Sequence, residues 1–242
     1  MKVLVIIISR GMYKKNVNNI KKLKDSFDKN IQVDYCCISG ENDFNNYENV
    51  IKLKYKIISK SKQLEKMCEF ITDYKDELDY DWFIKFRPEL VLNEPIDFSQ
   101  LKSSSINARV REYKGPLKIK YGCIAFPDSE RVGGNPNSMI NHTTYSKTTE
   151  RVVLEDMIYI FDRNVIKSNG FDKITKSNTK NVFYTMPKIY GGGTDNFYGR
   201  NTYSQNEWMC TALFKYRNIN LNIIGINVDL PERRQTTQHI NM

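Results

Sequence analysis

The 242-residue chain lacks several features that would assign it to a common class of protein. Its longest apolar run, residues 3–8, is far too short to cross a bilayer and has neither the length nor the cleavage site of a secretory signal. The five cysteines include no CxxC pair, which argues against a disulfide framework and a cysteine zinc site. We therefore expect a protein of a reducing compartment, the cytoplasm.

Motifs of histidine and phosphate-loop chemistry are also missing. The two histidines, His142 and His239, have no metal-ligand spacing around them, although a tail histidine such as His239 can swing onto a metal. There is no GxGxxG, no P-loop and no serine or cysteine in a nucleophile elbow. Dinucleotide enzymes, P-loop enzymes and hydrolases with a catalytic triad are not supported.

Basic residues are abundant but dispersed. The formal net charge is +9, yet the lysines are spread along the chain and not concentrated in one run. We interpret this charge as a solvated basic surface and expect no nucleic-acid partner. It would still attract an anionic ligand or an anionic membrane surface.

The pattern of apolar residues predicts one α/β domain over residues 1–242. Strands and helices alternate in the first half, about residues 1–100, which implies a mostly parallel sheet with helices on both faces. The second half, about residues 101–230, is less regular and includes a turn-rich stretch, residues 114–150, that we interpret as a long binding loop or lid. The predicted strands are residues 2–9, 31–38, 50–58, 82–86, 105–113, 157–161 and 221–228. The predicted helices lie near residues 17–27, 61–74, 163–170 and 204–216.

The most informative segment is the predicted strand 82–86 and the residues that follow it. Arg87 and Glu89 come directly after this strand, and Pro88 between them cannot donate to a ladder, so it marks the strand's end. Ligands of open α/β sheets bind where strands end, so a guanidinium and a carboxylate there could hold a phosphate and a divalent metal. An ordinary Arg–Glu surface pair is the alternative interpretation.

Ser9 and Arg10 follow the first predicted strand, at another common position for a nucleotide contact. The planar fork of Arg10 suits a base or a diphosphate. An exposed loop arginine is the simpler interpretation. Arg109 and Arg111 alternate with apolar residues, and either a diphosphate or solvent could face them.

Two carboxylates could act on an acceptor hydroxyl. Asp156 precedes the predicted strand 157–161, and a carboxylate there could serve as a general base or orient the hydroxyl. Glu207 opens the last predicted helix, where Ser204 and Glu207 also fit a capping box with no catalytic role. The literal D-x-D, Asp79 to Asp81, precedes a strand and is expected at the wrong end of the sheet.

The order of these residues resembles GT-A-type glycosyltransferases of the small viral and bacterial kind, which carry an R-P-D-L motif. The matching positions are Arg10, Arg87-Pro88-Glu89-Leu90, Arg109-Val110-Arg111, Asp156 and Asn206-Glu207. The resemblance implies a GT-A-like, Rossmann-like fold and a hexosyltransferase that uses a nucleotide-sugar donor, a glycan or other hydroxyl acceptor, and Mn²⁺ or Mg²⁺. If the protein is viral, its compartment is the host cytoplasm.

The resemblance also implies roles for single residues. Glu89 would stand where the family has its metal-facing aspartate, and its longer side chain would shift the metal or bind it through water. The implied nucleotide-sugar site comprises Ser9, Arg10, Arg87, Glu89 and Arg111, and the implied catalytic residues are Asp156 and Glu207. Inversion and retention of the anomeric centre are both open. A non-catalytic nucleotide- or glycan-binding protein of the same fold is the alternative, and a nucleic-acid-binding protein is a third, supported by charge alone.

Overall fold

A computed structural model describes most of the first half of the chain and parts of the second. The described residues are 1–61, 63–112, 118–120, 123–125, 144–145, 152–173, 213–214, 217–229 and 239–240. The predicted helix 204–216 and the residue Glu207 therefore lie outside the described part, apart from residues 213–214, which are helical.

Thirteen strands and four α-helices have their bounds within these residues. The strands are β1 (Lys2–Ile8), β2 (Gln32–Ser39), β3 (Leu53–Ile58), β4 (Trp82–Phe86), β5 (Val91–Leu92), β6 (Ser105–Glu112), β7 (Lys118–Lys120), β8 (Cys123–Ala125), β9 (Thr144–Tyr145), β10 (Val152–Asp162), β11 (Asn220–Ile223), β12 (Val228–Asp229) and β13 (His239–Ile240). The helices are α1 (Val17–Asp25), α2 (Asn45–Glu48), α3 (Gln63–Tyr74) and α4 (Arg163–Lys167), and short 3-10 turns occur at Lys14–Asn16 and Phe98–Gln100.

One mostly parallel sheet organises the fold. Its strand order is β11-β6-β10-β4-β1-β2-β3, and β13 adds to β6. Strands β4, β1, β2 and β3 run parallel to one another, and β11 runs parallel to β6. Strand β10 lies antiparallel between β4 and β6, so β4 and β6 point the same way. The carboxyl ends of β1 to β4 and of β6 therefore share one edge of the sheet.

Helices cover both faces of this sheet, because each face is apolar and must be buried. Helices α1 and α2 pack on one face, where Ile20, Leu23 and Tyr47 join a core formed with Val5, Ile84 and their neighbours. Helices α3 and α4 contribute to the core of the other face. The buried apolar residues of α3 recur at helical spacing, which is why this helix can lie flat on the sheet; they are Leu64, Met67, Cys68, Phe70 and Ile71.

The α/β class, the mostly parallel sheet and the helices on both faces are thus confirmed. Strand 82–86 has the predicted bounds, and β1, β2 and β6 differ by one residue at one or both ends. Asp162 caps α4, since its carboxylate accepts a hydrogen bond from the Val165 backbone N–H at 3.3 Å. Helix α4 ends at Lys167, and the Gly170 N–H then bonds to the Val165 carbonyl at 2.9 Å.

Three local predictions differ from the structure in extent. The strand expected at 157–161 extends over Val152–Asp162, and the strand expected at 221–228 divides into β11 and β12. Within the expected loop 114–150, the described residues form a small antiparallel sheet in the order β8-β7-β9. Such short strands carry too few residues for alternation to be recognised. No helix among the described residues is long and apolar enough to cross a membrane.

Candidate functional site

The site lies at the shared carboxyl edge of the sheet, where the loops after β1, β2 and β4 are tied together. Asp43 accepts from the Met12 backbone N–H at 2.5 Å and from the Ser39 hydroxyl at 3.0 Å. Asn46 donates to the Met12 carbonyl at 2.6 Å, and Asn19 donates to the Pro88 carbonyl at 3.0 Å. These bonds between side chains and loop backbones hold the rim in a defined geometry.

Ser9 and Arg10 occupy the rim after β1, as the sequence predicts. Ser9 is buried, and Arg10 is exposed. The Gly40 N–H, at the end of β2, donates to the Arg10 carbonyl at 2.9 Å. A Cβ on residue 40 would lie 2.8 Å from that carbonyl oxygen, so the close approach of the two loops requires glycine.

Arg87 and Glu89 form a two-pronged ion pair directly after β4. The Arg87 Nη2 lies 3.1 Å from Glu89 Oε1, and Nε lies 3.3 Å from Oε2. About a quarter of each side chain is exposed, so both reach the rim. Burial disfavours the charged form of Glu89, but the Arg87 guanidinium outweighs this and holds the pKa of Glu89 below its usual value. Glu89 is therefore an anion over the physiological pH range.

Asp156 approaches the same pair from β10. Its Oδ2 lies 3.8 Å from Arg87 Nη1, and its side chain is 1% exposed. The position of Asp156 follows from a register shift in β10: Leu154 pairs with Val110 and Tyr159 with Ala108, so four residues of β10 oppose Arg109 alone. A bulge of this kind redirects side chains, and here it brings a carboxylate to the sheet edge.

Gln63 and Lys85 extend this group of polar side chains. With its amide oriented to meet complementary partners, Gln63 donates to Asp156 Oδ2 at 3.1 Å and accepts from Lys85 Nζ at 3.0 Å. Lys85 is 1% exposed, and its Nζ also lies 5.5 Å from the centre of the Tyr159 ring. The first turn of α3 thus links a buried cation to a buried carboxylate.

Lys66 is a second buried cation at this edge. It is 5% exposed, and its Nζ donates to the Ser9 carbonyl at 3.1 Å. Burial disfavours the charged form and lowers the pKa of Lys66, against a smaller opposite effect of Glu69. Glu69 accepts from the hydroxyls of Ser59 at 3.1 Å and Ser61 at 2.7 Å, two residues that precede α3.

For the other predicted residues, the structure describes the strand position of Arg111 and does not include Glu207. Arg111 lies on β6, between His239 of β13 on one side and Val153 of β10 on the other. Arg111 is thus near the carboxyl end of a strand that shares the site's edge. Arg109, two residues earlier, is buried. Glu207 is outside the described residues, so its catalytic role stays a prediction.

Lys66, Lys85, Gln63 and Asp43 were missed by the sequence interpretation. The period-2 alternation of β4 places Lys85 on the same buried face of the sheet as Phe83. This alternation could have identified Lys85 as a buried lysine. Lys66 lies among the apolar positions of α3, between Leu64 and Met67, which was a similar signal. A lysine in a buried stripe needs a compensating partner.

The D-x-D residues lie at the opposite, amino edge, as expected. Asp79 is paired with Lys2 at 3.3 Å and with Arg163 at 2.7 Å. Asp81 accepts from the Lys2 backbone N–H at 2.7 Å. Both carboxylates therefore contact residues at the start of the sheet or of α4 and are remote from the site.

The described residues do not provide a fitting site for Mn²⁺ or Mg²⁺. Arg87 engages both carboxylate oxygens of Glu89, so a metal would have to compete with a guanidinium. In the part of the chain that the structure describes, no group of three or more His, Cys, Asp and Glu side chains is arranged to hold a metal. The metal requirement therefore stays a prediction.

Comparison with known proteins does not indicate a function. No protein-family model matches this chain, and no curated protein matches its sequence. The chemistry that the arrangement of side chains can perform is therefore the basis for assigning a function.

Proposed function

We propose that this protein is a glycosyltransferase that moves a sugar from a nucleotide-diphosphate donor to an acceptor hydroxyl. The observation that carries the proposal is the group of cationic side chains at the carboxyl edge of a mostly parallel sheet. Lys66, Lys85 and Arg87 lie on or beside this edge, against the carboxylates Glu89 and Asp156. In open α/β sheets, ligands bind at this edge.

The buried cations Lys66 and Lys85 favour an anionic ligand with several oxygens. Exposed Arg10 adds a further cation at the rim. A guanidinium matches a phosphate in two-pronged geometry, and a lysine binds it as a point charge. A nucleoside diphosphate provides two phosphates and a base that the rim loops could contact.

The proposed reaction needs charge stabilisation at the leaving group. The bond between the sugar C1 and the diphosphate oxygen breaks, and its electron pair passes to the diphosphate. Cations fixed in place at that oxygen lower the barrier, because they need no reorganisation as the charge develops. For an inverting reaction, the acceptor oxygen bonds to C1 while its proton passes to a carboxylate.

Asp156 is the proposed proton acceptor, and its burial sets a condition on that role. Its side chain is 1% exposed, so ligand binding must open a path to it. The alternative role for the same carboxylate is to orient Arg87 from 3.8 Å. The two roles differ in their effect on donor binding, which makes them separable.

The Asp156→Asn variant separates these roles. If Asp156 is the base, the variant keeps donor affinity and loses transfer by ~10²–10⁴-fold, because the carboxamide cannot accept the proton. If Asp156 orients Arg87, donor affinity falls as well. Transfer within a few-fold of wild type, normalised to donor-binding sites, would remove Asp156 from the mechanism, and Glu207 would be tested next.

A non-catalytic nucleotide- or glycan-binding protein is the second candidate. The burial of Asp156 and the pairing of Glu89 with Arg87 favour it, because neither carboxylate is free to take a proton or a metal in this arrangement. Donor binding without turnover would support this candidate over the enzyme.

The decisive experiment is a thermal-shift screen of nucleotide-sugars with and without Mn²⁺, followed by a transfer assay with each donor that binds. A ligand that binds the native state alone raises the melting temperature. Glu89→Ala should abolish the shift, whereas the matched control Glu77→Ala, an exposed residue outside the site, should preserve it. An unchanged shift in Glu89→Ala, with and without Mn²⁺, would count against the proposed site.

A further inference from the structure

Lys66 occupies a position that protein stability alone does not explain. Its ammonium is buried beneath the rim, at the end of β1, and one of its N–H groups bonds to the neutral carbonyl of Ser9. Among the residues that the structure describes, no carboxylate lies within 4.0 Å of its Nζ. A buried ammonium without a close counter-ion is costly, and the cost is relieved when an anion binds beside it.

Lys66 lies close to the loops that form the rim. Gly40, at the end of β2, has no side chain, and a Cβ there would be 3.8 Å from Lys66 Nζ. The exposed Arg10 follows Ser9, whose carbonyl the ammonium contacts. Glu69, the acidic residue that influences Lys66, is bonded to the hydroxyls of Ser59 and Ser61.

We infer that Lys66 is a phosphate ligand and that, together with Arg87, it selects a diphosphate over a monophosphate. Lys66 reaches the end of β1, and Arg87 follows β4, the strand beside β1 in the sheet. Neighbouring strands lie about 4.8 Å apart, so the two cations can each contact a different phosphate of a diphosphate, which gains from both charges. The identification of this diphosphate with the donor's leaving group rests on the proposed function.

The test measures binding of pyrophosphate, inorganic phosphate and a nucleoside diphosphate by titration calorimetry. Lys66→Met keeps the volume and apolar stem of the side chain and removes its charge. We expect it to unfold cooperatively like the wild type and to bind pyrophosphate about tenfold or more weakly. Wild type should bind pyrophosphate more tightly than inorganic phosphate.

Lys75→Met is the matched control, because Lys75 follows the last residue of the same helix at the end remote from the site, where it contacts Asn169 and Asp172. It should bind pyrophosphate as the wild type does. If Lys66→Met does not fold, Lys66→Gln takes its place, since the amide can still donate to the Ser9 carbonyl without carrying a charge.

Two results would overturn the inference. One is pyrophosphate affinity in the folded Lys66 variant equal to that of the wild type, which would make Lys66 a tie between α3 and β1. The other is a wild type that binds neither pyrophosphate nor the nucleoside diphosphate. Failure of the proposed function is distinct: pyrophosphate binding that depends on Lys66, without sugar transfer from any donor, would keep the phosphate ligand and reject the transferase.

Discussion

The two edges of the central sheet carry their charges in opposite ways. At the amino edge the charges are exposed and paired: Asp79 lies between Lys2 and Arg163, and its side chain is 71% exposed. At the carboxyl edge, Lys85 and Asp156 are each 1% exposed. The same sheet thus has a solvated edge and a buried one.

This difference separates charges that cost the fold little from charges that are costly to bury. Exposed ion pairs contribute little and cost little, because water screens them. Buried charges lose their hydration, and an apolar pair of the same volume is often as stable or more so. Concentrating buried charge at the one edge where α/β sheets bind ligands therefore points to binding or catalysis.

Removing one buried carboxylate should give the largest stability difference between the edges. Asp156→Ala deprives Arg87 and Gln63 of this buried acceptor, so the free energy of unfolding should fall by about 3–5 kcal/mol. Asp79→Ala, at the amino edge, should leave the urea midpoint almost unchanged. Equal shifts in the two variants would remove the contrast between the edges.

The Gln63 bridge should give the next largest effect. Gln63→Ala removes the amide that links Lys85 to Asp156, and the unsatisfied groups should lower the free energy of unfolding by about 1–3 kcal/mol. Gln32→Ala is the control, since Gln32 is exposed at the start of β2. Chemical denaturation of both variants measures the difference, and a Gln63 cost no greater than that of Gln32 would show that the bridge is not formed.

Acid should weaken the carboxyl edge through Glu89. Since its folded pKa is lowered, the stability it contributes is present above its unfolded pKa of about 4.3 and is lost as the pH falls through the folded value. Glu89→Gln should therefore flatten the acid limb of the stability curve below about pH 5. Urea unfolding across this range is the measurement, with Glu77→Gln as control. An unchanged acid limb in Glu89→Gln would contradict the ion pair.

The smallest effect on stability is expected for the ion pair between Lys54 of β3 and Asp34 of β2, near the start of both strands. Lys54 donates to Asp34 at 3.0 Å and to the Tyr80 hydroxyl at 2.7 Å, but half of its side chain is exposed. Lys54→Met should cost no more than about 1 kcal/mol, and this cost should shrink further near 1 M salt. A larger cost that persists in salt would mean that this region also carries unscreened charge.

The sequence predicts the parallel half of the fold well because its signals are local. The apolar run of β1, the helical spacing in α3 and Pro88 after β4 each act within a few residues. Arg87, Glu89, Ser9 and Arg10 follow from these strand ends and lie at one edge of the sheet.

The rest of the site depends on contacts between distant segments. The bulge that brings Asp156 to Arg87 arises from pairing β10 with β6 across about 45 residues of chain, and alternation within β10 does not reveal it. The positions of Lys66 and Lys85 in the site become evident only when α3 packs on the sheet, where Lys66 contacts the end of β1 and Gln63 contacts Lys85 of β4. Sequence patterns predict where a residue lies within a helix or strand, but the site is formed by contacts between different helices and strands.

Three buried cysteines give the sheet a built-in chemical reporter. Cys36 and Cys37 lie in β2 and Cys68 in α3, all buried, and burial raises the pKa of Cys68 to about 12. Because only a thiolate reacts, alkylation of these thiols in the native protein must wait for the core to open. The labelling rate of each cysteine peptide thus reads out opening of the sheet and of α3 separately, without introducing any probe.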